Sequence, residues 1–347
     1  MRCGEVILDK PASGTRATTF SVATPVRNGM PAIRRCIGSL KGQICAERDP
    51  VDAVRVEHVV RDGGSTDGTV ALLEGNRGTW ECCCRDGSEP AVARVSAEPP
   101  GGAVSPAYSL RYRSAPDDGM YDAINQAWAE THGDVLSWLN ADEQYLPGTL
   151  ARVAVVFRED PEVDAVFGNF IIVGSDGAPI AARRDPSLRR RHIASTFLNA
   201  ASCTMFFRRS LYRRGLLRLD RQYRYSADKE LVLRLLEAGV RFAYVNEYLA
   251  LFQMTGHNLT SSPEMQQESD AVGMRFGGSR RSAVRMLRRG LKWGEKAMRG
   301  CYWPARVNYA YTLDEKPRYS AYVDRRVGFR VDSKRWFGRR WRPRVQG

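Results

Sequence analysis

The sequence predicts an α/β fold: a mostly parallel central sheet with helices on both faces, followed by a basic, largely helical C-terminal extension. Strand-like and helix-like patterns alternate over roughly the first 170 residues, which is how a parallel sheet with crossover helices reads. Acidic side chains fall where strands should end, at Asp62 and Asp142. The charge divides the chain. From Arg280 to Gly347 there are 20 Lys and Arg against 5 Asp and Glu, a net of +15, whereas the preceding 279 residues hold 33 against 34, a net of −1.

Phe20 to Thr24 reads as the first strand, ended by Pro25. Ala32 to Leu40 reads as a helix because Ile33, Cys36, Ile37 and Leu40 share one face at helical spacing. Val54, Val56 and Val60 alternate toward Asp62 as a second strand, and Gly63 to Gly68 form a turn that opens a helix near Thr69. Asp134 to Leu139 reads as a strand, with Asn140-Ala141-Asp142-Glu143 just past its end. Thr149 to Phe157 is helical in pattern, and Val163 to Phe167 is again strand-like. Between about residues 75 and 106 the rhythm fails; Gly, Pro, Ser and Cys predict an irregular surface insertion before a strand at Tyr108 to Tyr112. Further on, Leu231, Leu235 and Ala238 mark a helix that Gly239 stops, and Phe242 to Val245 suit a short strand.

Composition excludes several classes. No run reaches the roughly 18 apolar residues of a membrane-spanning helix, and the N-terminus shows no signal-peptide core, so a cytoplasmic location is expected. The 8 Cys form no paired framework; Cys82-Cys83-Cys84 lack the spacing of a metal site, and reduced thiols fit a reducing compartment. A nucleic-acid binder would spread its positive charge over the body, and the body is neutral.

Ligands of open parallel sheets bind beyond the carboxyl ends of the strands, so Thr24, Asp62 and Asp142 gather at one rim from three distant places. A strand-end Asp serves equally as a turn former or helix cap, and only the set as a whole favours a site. Asp142 with Glu143 offers oxygen ligands suited to Mg²⁺ or Mn²⁺. Asp228 opens the helix through Leu231, with Ser226 as its candidate cap; it reads either as a general base at the pocket rim or as a carboxylate complementing the helix N-terminus.

Five blocks then carry a resemblance. Thr24-Pro25-Val26-Arg27-Asn28, the run Val59 to Thr69 containing Asp62-Gly63-Gly64-Ser65-Thr66-Asp67-Gly68, and Pro116-Asp117-Asp118-Gly119-Met120-Tyr121-Asp122 lie in the first half. Gly133-Asp134 through Asn140-Ala141-Asp142-Glu143, then Phe206 to Tyr212 followed by Ser226-Ala227-Asp228, complete the order over residues 20 to 255. This pattern resembles the family 2 glycosyltransferases. The resemblance implies a GT-A fold and an inverting transfer from a nucleoside-diphosphate sugar, with a UDP-sugar favoured. It implies that Thr24 and Asn28 border the nucleotide, that Asp62 hydrogen-bonds the base and that Asp117 lies near the ribose or sugar. Asn140 takes the first position of the DxD element and Asp142 the last, where it would bind Mn²⁺ or Mg²⁺. Asp228 matches the catalytic base, and His257 is a candidate donor toward the diphosphate or metal, against the alternative of a surface or structural histidine. Glu143 stands where a further Asp is usual, and Ser202-Cys203 where a His-Gln pair is frequent.

These readings assign residues 1–277 to the transferase domain, with a donor half about 18–150 and an acceptor half about 151–260, and residues 278–347 to the extension. Ser282 to Arg299 sets Val284, Leu287, Leu291 and Met298 among Arg and Lys, with Trp293 nearby. It reads either as an interfacial helix on an anionic membrane surface, at the inner face of the plasma membrane, or as a helix packed on the domain. The expected function is sugar transfer to a sugar, lipid-linked or small-molecule acceptor in polysaccharide or glycolipid assembly. The alternatives are glycosylation of a soluble metabolite and a catalytically inactive sugar-nucleotide-binding protein. No nucleic-acid partner is expected.

Overall fold

The structure is a computed structural model that describes residues 17–45, 54–82, 92–96, 107–175, 177–254, 262–302, 305–312, 318–325 and 344–345. The first half runs β1 (Thr18–Val26), α1 (Ala32–Lys41), β2 (Val54–Asp62), α2 (Thr69–Asn76), β3 (Gly78–Cys82), β4 (Val92–Ser96), β5 (Tyr108–Ser114), α3 (Met120–Ala129), β6 (Val135–Trp138), β7 (Gln144–Tyr145) and α4 (Thr149–Glu159). The second half runs β8 (Ala165–Gly174), β9 (Pro179–Arg183), α5 (Arg190–Ser195), β10 (Phe206–Arg208), α6 (Arg209–Arg213), α7 (Ala227–Glu237), β11 (Phe242–Met254), α8 (Pro263–Arg275) and α9 (Ser282–Met298). Three strands follow, β12 (Ala305–Thr312), β13 (Arg318–Arg325) and β14 (Arg344–Val345).

Among the described residues the main sheet is 11-stranded, in the order β4-β3-β5-β2-β1-β6-β10-β8-β11-β7 with β9 beside β8. The block β5-β2-β1-β6 is wholly parallel. Its strands therefore all end at one edge, at Val26, Asp62, Ser114 and Trp138. Strand alternation divides the core between two faces. Phe20, Val22, Val56 and Val60 pack with Ile33, Leu40, Leu150 and Phe157 from α1 and α4. Ala23 and Val59 pack with Ile124, Trp128, Leu231 and Leu235 from α3 and α7. That is the expected α/β architecture.

Gly133 lets the turn before β6 press against β1. A Cβ there would lie 2.7 Å from the Thr19 carbonyl oxygen and 2.6 Å from Ser21 Oγ. The gap is closed by Gly133 N donating to Ser21 Oγ at 2.9 Å and Thr19 N donating to Asp134 Oδ2 at 3.0 Å.

Several expectations need correction. The segment about 75–106 is not wholly irregular: β3 pairs antiparallel with β5, and β4 with β3, which extends the sheet by a hairpin. Its composition hid strands that need only backbone pairing with a neighbour. β11 runs far beyond the short strand expected over Phe242 to Val245, because register shifts at Val245/Tyr248 and Tyr248/Ala250 break the alternation that marks a strand in sequence. Among the described residues of the C-terminal extension, helix is confined to α9; β12, β13 and β14 form a separate antiparallel sheet. No helix among the described residues is long and apolar enough to cross a membrane.

Candidate active site

The loops after β1 and β2 are fastened to each other by side chains of the Gly-rich run. Asn28 adopts a left-handed backbone, φ 51°, which Asn tolerates better than most residues. Its Oδ1 accepts from Thr66 N at 2.8 Å, and its own N–H donates to Ser65 Oγ at 2.6 Å. Gly29 N donates to Thr69 Oγ1 at 3.0 Å and Met30 N to Asp67 Oδ2 at 2.9 Å. The hydroxyl of Thr69, donating to Asp67 at 2.6 Å, and the backbone donors hold the Asp67 carboxyl below its ordinary value.

Asp62, almost fully buried, organises the same turn. Its Oδ2 accepts from Gly64 N at 3.2 Å, Ser65 N at 3.0 Å and Ser114 Oγ at 2.6 Å, while Oδ1 accepts from Ser65 Oγ. Here the carboxylate shapes the loop. Asp117 lies on the next loop with Oδ1 accepting from Gly119 N at 2.9 Å, and a Cβ at Gly63 would come within 3.1 Å of its Oδ2. Asn28, Asp62 and Asp117 thus share one rim, with Asn28 and Asp117 exposed.

Thr24 departs from the expectation. Its side chain is fully buried, bonded to His58 Nε2 at 2.9 Å and close to Cys36 Sγ at 3.8 Å. Strand alternation turns it into the core against α1, so its hydroxyl cannot border a ligand. His58 bridges Thr24 to Tyr108 Oη at 2.9 Å, and burial lowers its pKa to about 3, which keeps the ring neutral.

The loop after β6 carries Asn140, Asp142 and Glu143. A Cβ at Gly29 would lie 3.6 Å from Ala141 Cβ, so this loop adjoins the one after β1. Glu143 N donates to the Asn140 carbonyl at 3.0 Å, and Asn140 N to Glu143 Oε2 at 2.8 Å. Asn140 Oδ1 and Glu143 Oε1 are buried without a hydrogen-bond partner. Burial raises the Asp142 carboxyl, and burial together with the Asp142 charge raises Glu143 to about 8. The buried Cys203 lies near Glu143, and burial and that carboxylate raise its thiol. Buried oxygens without donors, clustered beside a carboxylate, suit a hard cation. No group of three or more His, Cys, Asp or Glu among the described residues is placed to hold a metal ion, so any ion here relies on few protein ligands. His257 lies outside the described residues.

Asp228 sits in the first turn of α7, half-buried, and burial raises its carboxyl to about 6 against the opposing bond from Lys229 N at 2.7 Å. Ser226 occupies the N-cap position but makes no side-chain capping bond. Glu268 of α8 does that work from outside the helix: Oε1 accepts from Ser226 N at 2.7 Å and Tyr225 N at 2.8 Å, and Oε2 from Arg224 N at 2.9 Å. Lys229 turns inward to Ser269 O at 2.7 Å and Ser269 Oγ at 3.0 Å, and burial lowers it to about 8. Tyr121, in the first turn of α3, feels the charges of both Asp228 and Glu268. Arg221 bonds Asp122 at 2.9 Å and reaches Asp118 at 3.4 Å. These contacts set the start of α7 beside the Asp117 loop. Glu230 is buried and paired with its own helix neighbour Arg234 at 3.0 Å. Sequence reasoning missed Glu268, because nothing local links it to a loop about 40 residues earlier in the chain.

Residues 104–217 match the family model for glycosyl transferase family 2. The chain is also 27% identical, over 302 residues, to an uncharacterised glycosyltransferase of Mycobacterium tuberculosis, covering 86% of this chain and 94% of that one. The chain is a glycosyltransferase whose residues 104–217 match family 2. The family match takes in Asp117, Asn140 and Asp142, while Asn28, Asp62 and Asp228 lie outside it. A PGL/p-HBAD biosynthesis glycosyltransferase of M. tuberculosis is 29% identical over 157 residues, 45% of this glycosyltransferase and 48% of the relative. In fold, S. aureus TarS 1-349, solved with UDP-GlcNAc, matches with a TM-score of 0.52 at 16% identity, over 81% of this chain and 73% of that one. TarS 1-349 solved with UDP matches with a TM-score of 0.51 at 16% identity, over 83% and 76%. The architecture is that of the GT-A glycosyltransferases.

Proposed function

We propose that this enzyme transfers a sugar from a nucleoside-diphosphate donor, with inversion, to an acceptor hydroxyl in polysaccharide or glycolipid assembly. The observation that carries the reading is a pair of unlike acidic groups, one beside the loop after β1 and the other beside the start of α3. One is the loop of Asn140 and Asp142 with its partnerless buried oxygens; the other is Asp228, whose raised pKa suits a base. A UDP-sugar is the donor class favoured, in keeping with the UDP and UDP-GlcNAc found with S. aureus TarS.

In this reading the loops of Asn28, Asp62 and Asp117 frame the nucleotide. Asn140, Asp142 and Glu143 are the residues that would hold Mn²⁺ or Mg²⁺. When bound, such an ion supplies charge neutralisation to a departing diphosphate. Asp228 takes the proton from the acceptor hydroxyl while that oxygen bonds to the anomeric carbon. The bond from that carbon to the diphosphate breaks, and the electron pair leaves with the diphosphate. Attack opposite the leaving group inverts the anomeric centre. Glu268 and Tyr121 orient the turn that presents Asp228. The basic extension makes the enzyme peripheral at an anionic membrane face, where a lipid-linked acceptor resides.

The test is calorimetric titration of nucleotide sugars with and without Mn²⁺, followed by assignment of the product's anomeric configuration. Donor binding that strengthens with Mn²⁺ in the wild type but not in Asp142→Asn, with an inverted product, is expected. Retention of configuration would overturn the role given to Asp228.

A further inference from the structure

We infer that the outward apolar face of α9 is a docking surface for an anionic phospholipid bilayer, and that its cationic face is the joint to the catalytic domain. This rests on the peripheral reading above and specifies how contact is made. A surface helix ordinarily turns its apolar side to the core and its charges to water. α9 does the reverse. Lys292 and Lys296 are buried, and both pair with Asp185, at 3.5 and 3.0 Å. Lys292 also lies 4.4 Å from the centre of the Phe197 ring. Arg285 pairs with Asp270 at 3.0 Å, and Arg288 donates to the Arg191 carbonyl at 3.2 Å and to Ser195 Oγ.

The side left facing outward is apolar. Leu287 is 63% exposed, Leu291 57% and Met298 85%, and helical spacing sets them in one stripe. Met286 and Trp293 flank it. Leu287 and Leu291 also line a groove of about 600 Å³ against α5, bordered by Arg190 and Arg191.

Charge selects the occupant. Of the six Lys and Arg between Gly277 and Gly294, Arg285, Arg288 and Lys292 belong to the joint, and Arg280, Arg281 and Arg289 stay exposed, in a run without Asp or Glu. A second copy would bring the same cations to the same rim, which opposes a two-fold contact. An anionic bilayer offers phosphates to the rim and acyl chains to the stripe, the arrangement of an interfacial helix.

The experiment uses the full chain, with vesicles of phosphatidylcholine alone or mixed with phosphatidylglycerol, and a charge-neutral Leu287→Gln/Leu291→Gln variant. Both positions are exposed, so the thermal melt should be unchanged. Wild type should co-sediment with the anionic vesicles, and the variant should bind roughly tenfold more weakly or worse. Equal binding by the variant would overturn the apolar face while leaving charge-driven membrane contact standing. No binding by wild type would overturn both. Loss of a dimer in the variant, seen by sedimentation velocity with vesicle binding unchanged, would assign the face to a second copy instead.

Discussion

Burial holds the Asp228 carboxyl near a pKa of about 6, within the range where a base is half in its active form near neutral pH. The transfer rate should therefore fall as pH drops through that value. Asp228→Asn should keep donor affinity and lower the rate roughly 10²-fold or more, with the acidic limb of the pH profile gone. The same substitution has a signed effect on stability. A carboxyl with a folded pKa above its ordinary 3.8 is costly to ionise in the native state, and that cost grows as pH rises from about 4 to about 6. Asn carries no such charge, so Asp228→Asn should melt a few degrees higher at pH 7, with the gain gone below about pH 4. A variant that is inactive and less stable at neutral pH would contradict this account. Glu230→Gln is the contrast. It breaks a buried pair with Arg234, so it should lower the melting temperature while leaving the acidic limb of the pH profile in place.

Two fastenings between elements decide the shape of the site. The first joins the loops after β1 and β2 through Asn28. Asn28→Ala removes the bond to Thr66 N and places a Cβ-bearing residue of lower tolerance at φ 51°, so a loss of about 1–2 kcal/mol is expected in urea unfolding. Asn28→Gly keeps the backbone relaxed and should cost less. The second sets α8 against α5. A Cβ at Gly273 would fall 2.0 Å from the Ala194 carbonyl oxygen, a backbone atom with no freedom to swing away. Gly273→Ala should push α8 outward and carry Glu268 off the turn before Asp228. The expected result is a loss of about 1–3 kcal/mol together with a fall in kcat larger than any change in donor affinity. A wild-type kcat in a destabilised protein would separate α8 from the positioning of Asp228.

At the scale of the whole molecule, the basic extension is fastened to the body by charge. Asp185 faces Lys292 and Lys296, and accepts from Asn199 Nδ2 at 2.9 Å; Arg189 reaches Glu295 through two bonds at 2.8 and 2.9 Å. Asp185→Asn leaves two buried ammonium groups without their counter-charge, and a loss of up to about 3 kcal/mol is expected in denaturant unfolding. Because the joint is ionic and partly buried, limited proteolysis between α8 and α9 should be faster in this variant than in wild type. Equal cleavage rates would show that other contacts hold α9.

Local pattern determined much of this protein. The Ile33, Cys36, Ile37 and Leu40 stripe named α1 and its buried face, because helical spacing alone dictates which side meets the core. The runs ending at Asp62 and before Asn140 put those residues at strand ends, and a parallel sheet then gathers strand ends whatever the loops do. Tertiary structure decided what pattern leaves open. Thr24 has the right strand position but the wrong side of the strand, and its buried hydrogen bond with His58 shows which side that is. β3 and β4 lack a pattern because an edge hairpin is held by backbone bonds to β5. Glu268 acts on the turn before Asp228 across a contact distant in sequence. The amphipathic period of α9 was plain, yet which face looks outward was not, because period fixes the angle between faces and says nothing of rotation about the helix axis. Asp185, Asp270 and Ser195 fixed that rotation, drawing the cationic face inward and leaving Leu287 and Leu291 on the surface.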